Sequence, residues 1–448
     1  MTAIEELASS LAALGAQDLS EPVHTKLQWH VVDAIGAWLA ASRTPEGAAL
    51  VAFRRRIRAA GHGAEDVPMD VATGCALARL SEIDDIHLAS MTTPGSIVIP
   101  GALTLARAWQ TDPSDVTAAM IAGYEAMTRL GGTIGGAHVL YRGIWPTYVA
   151  APFGVAAVAA RLLRLEPGQT AHALALALTL AAPGVGHHNA ATTSRWLAVG
   201  NAARNGLTAA LAAQAGFTSD LKLLESGFFA NVYNVTPDLM VLTQQLGQPM
   251  LPRISFKPWC AARQTMAATE ALRQLVADGL RPDDMTEIRV AVLPPHQKMI
   301  DHGVIADDRA SHLTSVQYQM ALAACQPDNV YGLAQSPRDL SPMLRSFMGR
   351  ITIIADDKLL TAYPGAWPAR IAVTTAAGPR HAEVMHVPGD PERPFDWAQL
   401  TEKFRRVVSP VLGPEKADGM PKRIVECLHD QKSLMQMVDE VNDICRCA

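Results

Sequence analysis

The feature that most constrains the fold is a change in the character of the chain near Pro249. The residues before it are rich in Ala and Leu, and apolar side chains recur there at helical spacing. The segment 149–163 carries Ala on nearly every face, which predicts a helix buried among other helices. Helix breaks are predicted at 93–95, 131–132 and 183–184, where Pro and Gly occur.

After Pro249 the pattern mixes strands with helices. The predicted elements are strands at 289–292, 351–354, 369–373 and a run ending at Val384, with helices at 265–275 and 314–325. This is typical of an α+β domain with a small sheet. Beyond Pro394 the pattern is helical again, and periodicity does not decide whether this tail covers the sheet or returns to the first domain.

Composition and charge exclude several classes of protein. A chain of 448 residues is too long for one hydrophobic core, so about two domains are expected. The net charge is −5 and the basic residues are dispersed, which argues against a nucleic-acid partner. Glu5 and Glu6 stand where a signal peptide needs positive charge, and the most apolar stretch, 171–185, is too short to span a membrane. We therefore expect a soluble cytoplasmic protein, with six cysteines kept as reduced thiols.

Two polar stretches of the first half have chemical potential. In the first, around 82–96, the carboxylate of Asp85 stands near His87, an arrangement that suits a general base. A capped helix end with a solvated His fits the same residues. In the second, a Pro-containing helix entry carries hydroxyls at Thr147 and Tyr148 and resembles an anion site, although ordinary capping and aromatic packing explain it as well.

Two further stretches combine imidazole, hydroxyl and cationic groups. The loop 184–195 holds His187, His188 and Arg195, and we interpret it as an anion-binding loop in which Arg195 grips a carboxylate. A metal site is disfavoured, because adjacent His residues rarely reach one ion and no third ligand is evident. The stretch 256–265 adds Lys257, Cys260 and Arg263, and Cys260 has no visible activating partner. No phosphate-binding or dinucleotide-binding loop occurs, so chemistry must come from side chains.

Several short motifs follow one another in a familiar order. They are 83–88, 94–100, 122–125, 143–154, 200–206 and 257–259. Together they resemble the MmgE/PrpD family, whose members include 2-methylcitrate dehydratase, cis-aconitate decarboxylase and iminodisuccinate epimerase. The resemblance runs almost from end to end of the chain.

The resemblance implies a mainly α fold with a smaller α+β domain. A large helical domain at 1–250, completed by helices at 396–448, would carry an α+β lid at 251–395. The active site would lie between the domains, without metal or cofactor, in a homodimer. Members of the family act on small polycarboxylates, by removing a proton next to a carboxylate or by losing water or carbon dioxide.

The chain departs from the family pattern at four positions. Thr93, Trp145 and Met266 stand where His is usual, and Arg195 stands where Lys is usual. Arg195 cannot donate a proton near neutral pH, because its pKa lies above about 12, but it still neutralises a carboxylate. The anion-binding half of the family site is therefore expected to be kept, while the acid–base half is moved or lost.

The sequence thus yields a specific hypothesis for the site. The base is His87, beside Asp85, or one of His187 and His188, and Tyr148 is the proton donor. The substrate-binding residues are expected to be Thr93, Trp145, Arg195, Lys257 and Arg263.

Three functions remain open on the sequence alone. The first is a cofactor-independent lyase, of dehydratase or decarboxylase type, acting on a small di- or tricarboxylate. The second is an isomerase or epimerase that removes and returns a proton. The third is a non-catalytic homologue that only binds carboxylates.

Overall fold

The computed structural model describes residues 1–63, 65–182, 192–333 and 340–447. Its α-helices are, in chain order, α1 (Ala3–Ala13), α2 (Glu21–Ala41), α3 (Pro45–Ala60), α4 (Val67–Leu80), α5 (Gly95–Trp109), α6 (Pro113–Thr133), α7 (Ala137–Leu140), α8 (Pro146–Leu162), α9 (Pro167–Thr179), α10 (Ser194–Gln214), α11 (Phe228–Tyr233), α12 (Leu239–Thr243), α13 (Arg263–Ala277), α14 (Pro294–Ile300), α15 (Arg309–Thr314), α16 (Val316–Cys325), α17 (Pro342–Met348), α18 (Trp397–Leu412), α19 (Pro414–Cys427) and α20 (Gln431–Cys447). The strands are β1 (Glu287–Val292), β2 (Ile351–Ala355), β3 (Ala369–Thr375) and β4 (Gly378–Val384).

The chain forms two compact units. Described residues 1–182, 192–254 and 397–447 belong to the first, and 255–333 with 340–396 belong to the second. The first unit contains helices and no strand among its described residues, whereas the second contains the four-stranded sheet. The fold is therefore mainly α with a smaller α+β part, which confirms the predicted fold class.

Helix α8 occupies the centre of the first unit, where it packs against α6, α9 and α10. Every residue of α8 except Arg161 is buried, as its Ala-rich sequence predicts. Small residues make the close packing possible: a Cβ on Gly206 of α10 would overlap the carbonyl oxygen of Pro152 in α8. A larger side chain there would have to push the two helices apart.

The helix break predicted at 131–132 is wrong, because α6 continues to Thr133. Gly131 serves packing instead. A Cβ on it would overlap the Thr92 methyl group and lie 2.9 Å from the Ser90 carbonyl oxygen. The glycine thus allows the loop after the acidic stretch to lie directly against α6.

The C-terminal helices belong to the first unit, where α18 and α19 pack against α2. Lys403 of α18 is buried and forms an ion pair with Asp33 of α2. Its ammonium group also donates to the carbonyl oxygen of Ile83, at 3.0 Å. Helix α18 therefore contacts the acidic stretch around 82–87 directly through Lys403.

The sheet of the second unit has the strand order β2-β1-β3-β4. Strands β1 and β2 are parallel, and the other two pairs are antiparallel. Ile288, Val290 and Val292 alternate along β1 and enter a core that also includes Met266 and Ala267 of α13. This alternation explains why the β-branched runs were recognisable as strands.

Among the described helices, none combines the length and the apolar character that crossing a membrane requires.

Candidate active site

Asp85 is the centre of a buried polar network in the first unit. Its Oδ1 accepts from the backbone N–H of Gly95 at 2.7 Å, and its Oδ2 accepts from the Tyr124 hydroxyl at 2.7 Å. His30 Nδ1 lies 2.8 Å from the same Oδ2. Asp85 is only 3% exposed, so both of its oxygens are used within the protein. The carboxylate thereby holds the first residue of α5 against α2 and α6.

The expectation that a neighbouring carboxylate orients His87 is not what the structure shows. Its Nδ1 lies 2.8 Å from Ser90 Oγ and accepts from the backbone N–H of Ser90 at 3.2 Å. A backbone N–H only donates, so Nδ1 carries no proton and the neutral ring has its proton on Nε2. Burial, followed by the charge of Arg253, lowers the pKa of His87 to about 4. At neutral pH this imidazole is a hydrogen-bond donor through Nε2.

Thr93 and Thr147 join the start of α5 to the start of α8. The backbone N–H of Thr93 donates to Thr147 Oγ1 at 3.1 Å, and the two hydroxyl oxygens lie 3.3 Å apart. Ser96 donates its hydroxyl to the Thr93 carbonyl oxygen at 3.0 Å. All three side chains are buried. The structure therefore brings together two of the hydroxyl residues that the sequence analysis singled out.

Tyr148 and Trp145 stand at the beginning of α8 with unused polar atoms. Tyr148 is 1% exposed, yet no described residue bonds its hydroxyl, and the same holds for the buried indole N–H of Trp145. The two rings meet edge to face, with centroids 5.6 Å apart. Burial raises the pKa of Tyr148 to about 12, and the charges of Arg79 and Arg195 moderate the rise. The phenol is therefore protonated at neutral pH.

Arg195 lies in the first turn of α10, and no described residue forms an ion pair with it. Its guanidinium lies 4.6 Å from the centroid of the Trp196 ring, and its Nε has no hydrogen-bond partner among the described residues. Neither α8 nor α10 has a side-chain cap at its N-terminus. A guanidinium that no described residue pairs, at the uncapped N-terminus of its own helix, favours the binding of an anion.

Arg79, which the sequence analysis missed, completes this group. Its Nη1 lies 3.0 Å from Glu82 Oε1 and 3.4 Å from Asp84 Oδ1, and its guanidinium lies 6.0 Å from the Trp196 centroid. In sequence it is an ordinary basic residue near a helix end, a position where cations are common. We call Arg79, Trp145, Tyr148, Arg195 and Trp196 the phenol–arginine cluster.

His30 and Tyr124 were also missed as partners of Asp85. A polar residue in the middle of an apolar helical pattern is the only local sign of His30. Because its partner is 55 positions away in sequence, the pairing has no short-range signature.

Lys257 and Arg263 lie in the second unit and are both buried. Arg263 Nη2 donates to Asp390 Oδ2 at 2.7 Å, so its charge is matched within that unit. Met266, where a His is usual in the family pattern, lies in the hydrophobic core of the unit. The substrate-binding roles of Lys257 and Arg263 stay predictions.

His187 and His188 lie outside the described residues. In the part of the chain that the structure describes, no three His, Cys, Asp or Glu side chains are grouped as metal ligands would be.

Two family models match the chain and together cover most of it. The model of the MmgE/PrpD N-terminal domain matches residues 5–238, and that of the C-terminal domain matches residues 259–430. The chain belongs to the MmgE/PrpD family.

Several curated relatives of the chain carry the name of a decarboxylase, a type of lyase, or of a decarboxylase-like protein. The cis-aconitate decarboxylase of Homo sapiens is 26% identical over 377 residues, covering 80% of this chain and 75% of the relative. A cis-aconitate decarboxylase-like protein of Aspergillus oryzae is 25% identical over 386 residues, covering 80% and 79%. The cis-aconitate decarboxylase of Aspergillus terreus is 30% identical over 230 residues, covering 48% of this chain and 46% of the relative. These MmgE/PrpD relatives support a lyase-type enzyme and give no support to the isomerase alternative.

Proposed function

We propose that this MmgE/PrpD protein is a lyase that decarboxylates a small di- or tricarboxylate by means of side chains alone. The observation that carries the proposal is that no described residue bonds the buried hydroxyl of Tyr148, which lies within the electrostatic reach of Arg195, a guanidinium that no described residue pairs. Arg195 binds one carboxylate of the substrate, and Tyr148 delivers a proton to carbon.

Decarboxylation needs both a cation that binds a carboxylate of the substrate and an acid that protonates carbon. When the bond from carbon to the departing carboxylate breaks, its electron pair remains on the substrate as a carbanion, which conjugation and a retained carboxyl group stabilise. The Tyr148 hydroxyl then gives its proton to the carbanion, and solvent later restores that proton. The balance is one substrate and one proton converted into one product and one carbon dioxide.

Dehydration places a different demand on the site, because it begins with the removal of a proton by a base. At neutral pH the groups named here are poorly suited to that role, because Tyr148 keeps its proton and His87 is a neutral imidazole of low basicity. Burial keeps the pKa of Tyr148 at about 12, and the pKa of His87 is lowered to about 4 while its Nδ1 is already occupied. Glu82 and Asp84 are engaged by Arg79. This distribution favours proton delivery, and the decarboxylase names of the relatives agree with it.

The experiment that tests the proposal is an incubation with di- and tricarboxylates in deuterated water, starting with cis-aconitate. Carbon dioxide release and ¹H NMR are followed together. We expect carbon dioxide and a product that carries one deuterium at the protonated carbon. A new alkene without carbon dioxide would show dehydration, and no turnover of any acid would support a non-catalytic binding homologue.

A pair of tyrosine variants makes the test specific to the site. Tyr148→Phe is expected to lower kcat by about 100-fold or more, the usual contribution of a positioned acid. Tyr233→Phe, in α11 of the same unit, removes a phenol outside the phenol–arginine cluster and should keep full activity. Equal rates for the two variants would remove Tyr148 from the mechanism.

The family resemblance also implies a homodimer, which we retain as a proposal. Light scattering during size-exclusion chromatography should give twice the chain mass of 47.8 kDa. A monomeric mass at working concentration would contradict it.

A further inference from the structure

Arg79 is a buried cation whose burial the fold does not require. It lies in the last turn of α4, a helix that packs against α10, and it is 7% exposed. Its Nη1 faces two carboxylates, while its buried Nε has no partner among the described residues. Apolar residues of similar volume often replace buried ion pairs without loss of stability. A role in function therefore explains this buried, incompletely bonded arginine better than a contribution to stability does.

The backbone beside Arg79 points the same way. Glu82, which binds Arg79, has φ of 57°, a left-handed conformation that is unfavourable for a residue with a side chain. Such conformations persist where the surrounding structure holds them, and they cluster at functional sites. The turn after α4 thus holds the Glu82 carboxylate in place, and this carboxylate in turn orients Arg79.

Three helices bring Arg79 to the proposed proton donor. The Trp196 ring, at the start of α10, is contacted by Arg79 from α4 and by Arg195 from its own helix. Helix α10 also packs against α8, which begins with Tyr148. The charged groups that act on the Tyr148 phenol are Arg79, Arg195, Glu82 and Asp84.

We propose that Arg79 is a positioning residue for Tyr148. Arg79 provides the positive charge beside the phenolate that forms when Tyr148 gives its proton to the substrate. The inference rests on the proposed function. Arg195 is partly exposed and is occupied by the substrate carboxylate, so a second cation has to balance the new charge. In the step itself, the O–H bond of Tyr148 breaks, the proton goes to carbon, and the electron pair stays on Oη.

The test reads the phenol directly and needs no turnover. We would place 3,5-difluorotyrosine at position 148, which brings the phenol titration into a range where the protein stays folded, and follow it by ¹⁹F NMR. With Arg79→Met the midpoint should rise by about one pH unit, because a nearby opposite charge favours the ionised form. With Glu82→Gln the midpoint should fall, because a negative neighbour is lost. Opposite shifts are not expected from a general loosening of the fold.

Two controls keep the result interpretable. Arg129→Met removes another buried arginine of the first unit, which is paired with Glu125, and should leave the midpoint unchanged. Arg79→Lys keeps a positive charge and should restore most of the wild-type midpoint. If Arg79→Met does not fold, the Glu82→Gln and Arg79→Lys titrations still decide. An unchanged midpoint in Glu82→Gln, or equal midpoints in Arg79→Met and Arg129→Met, overturns the proposal.

Kinetics with unmodified Tyr148 separate the two proposals. Arg79→Met should lower kcat by about tenfold and change KM by less than about twofold, the pattern of an interaction made only in the transition state. A rise in KM at constant kcat would instead make Arg79 a substrate-binding residue and overturn its positioning role. If the midpoint shifts as expected but Tyr148→Phe keeps full activity, the proposed function fails although Arg79 and Tyr148 are coupled.

Discussion

Tyr124 and Tyr148 make an instructive pair, because both are buried in neighbouring helices of the first unit. Tyr124 is 0% exposed and donates its hydroxyl to Asp85 at 2.7 Å. Tyr148 is 1% exposed, and no described residue bonds its hydroxyl. Buried polar groups are normally hydrogen-bonded, so the second hydroxyl needs an explanation and the first does not.

The surroundings of the two phenols differ in the same way. Around Tyr124, a carboxylate, an imidazole and a backbone N–H satisfy one another, which is how a structural network behaves. Around Tyr148, an indole N–H and the Nε of Arg195 are also without partners among the described residues. A group of buried donors without acceptors is suited to a ligand that is rich in oxygen atoms.

The largest expected effect concerns the acceptor of the Tyr124 network. Asp85→Ala should lower the free energy of unfolding by about 3–5 kcal/mol, because it leaves His30, Tyr124 and the Gly95 N–H without their shared partner. Urea denaturation followed by circular dichroism measures the change. Asp112→Ala removes an exposed helix cap in the same unit and should cost only about 1 kcal/mol. Equal losses of unfolding free energy in the two variants would mean that the buried network does not depend on Asp85.

The next effect concerns the space around the same network. A Cβ on Gly95 would overlap an oxygen of Asp85 and lie 2.7 Å from the Tyr124 oxygen. Gly95→Ala should therefore destabilise the protein by about 1–3 kcal/mol, the usual cost of overpacking. Gly419→Ala, in the middle of α19 where nothing lies within 4 Å, should instead stabilise by about 0.5–1 kcal/mol. The thermal midpoints of the two variants should move in opposite directions.

The fold was largely predictable from sequence because its signals are local. The apolar, β-branched runs predicted β1 to β3, the polar/apolar run ending at Val384 predicted β4, and the Ala-rich segment predicted the buried α8. The error at 131–132 came from treating two glycines as a break, although close packing against the 90–92 loop explains Gly131.

The site was only partly predictable. Tyr148 and Arg195 stand out because their segments concentrate polar groups in apolar surroundings, and the structure places both in one cluster. The role of Arg79 depends on a contact with Trp196, which lies 117 positions later, and no local pattern reports such a contact. Asp85 was assigned to chemistry because it is near His87 in sequence, whereas its partner in space is His30.

A smaller effect on stability is expected at His87, in the loop that precedes α5. Because burial lowers the pKa of His87 to about 4, the unfolded chain binds a proton there between pH 6.5 and 4 while the folded protein does not. This contribution to stability is complete above about pH 6.5 and is lost as the pH falls, by up to ~1.4 kcal/mol per pH unit. His87→Gln should make the acid decline in unfolding free energy shallower by that amount. His381→Gln, an exposed side chain on β4, should not, and equal slopes for the two variants would contradict the burial of a neutral His87.

The smallest expected change in stability tests the difference between Tyr148 and Tyr124 most directly. Tyr148→Phe removes a hydroxyl that no described residue bonds, so the free energy of unfolding should stay within about 0.5 kcal/mol of wild type, or rise. Tyr124→Phe leaves Asp85 without one of its donors and should cost about 1–3 kcal/mol. Activity should follow the opposite order, with kcat lowered by about 100-fold or more in Tyr148→Phe and the folded fraction of Tyr124→Phe still turning over substrate. If Tyr148→Phe were the less stable of the two, its hydroxyl would have a structural partner after all, and its availability to a substrate would be disproved.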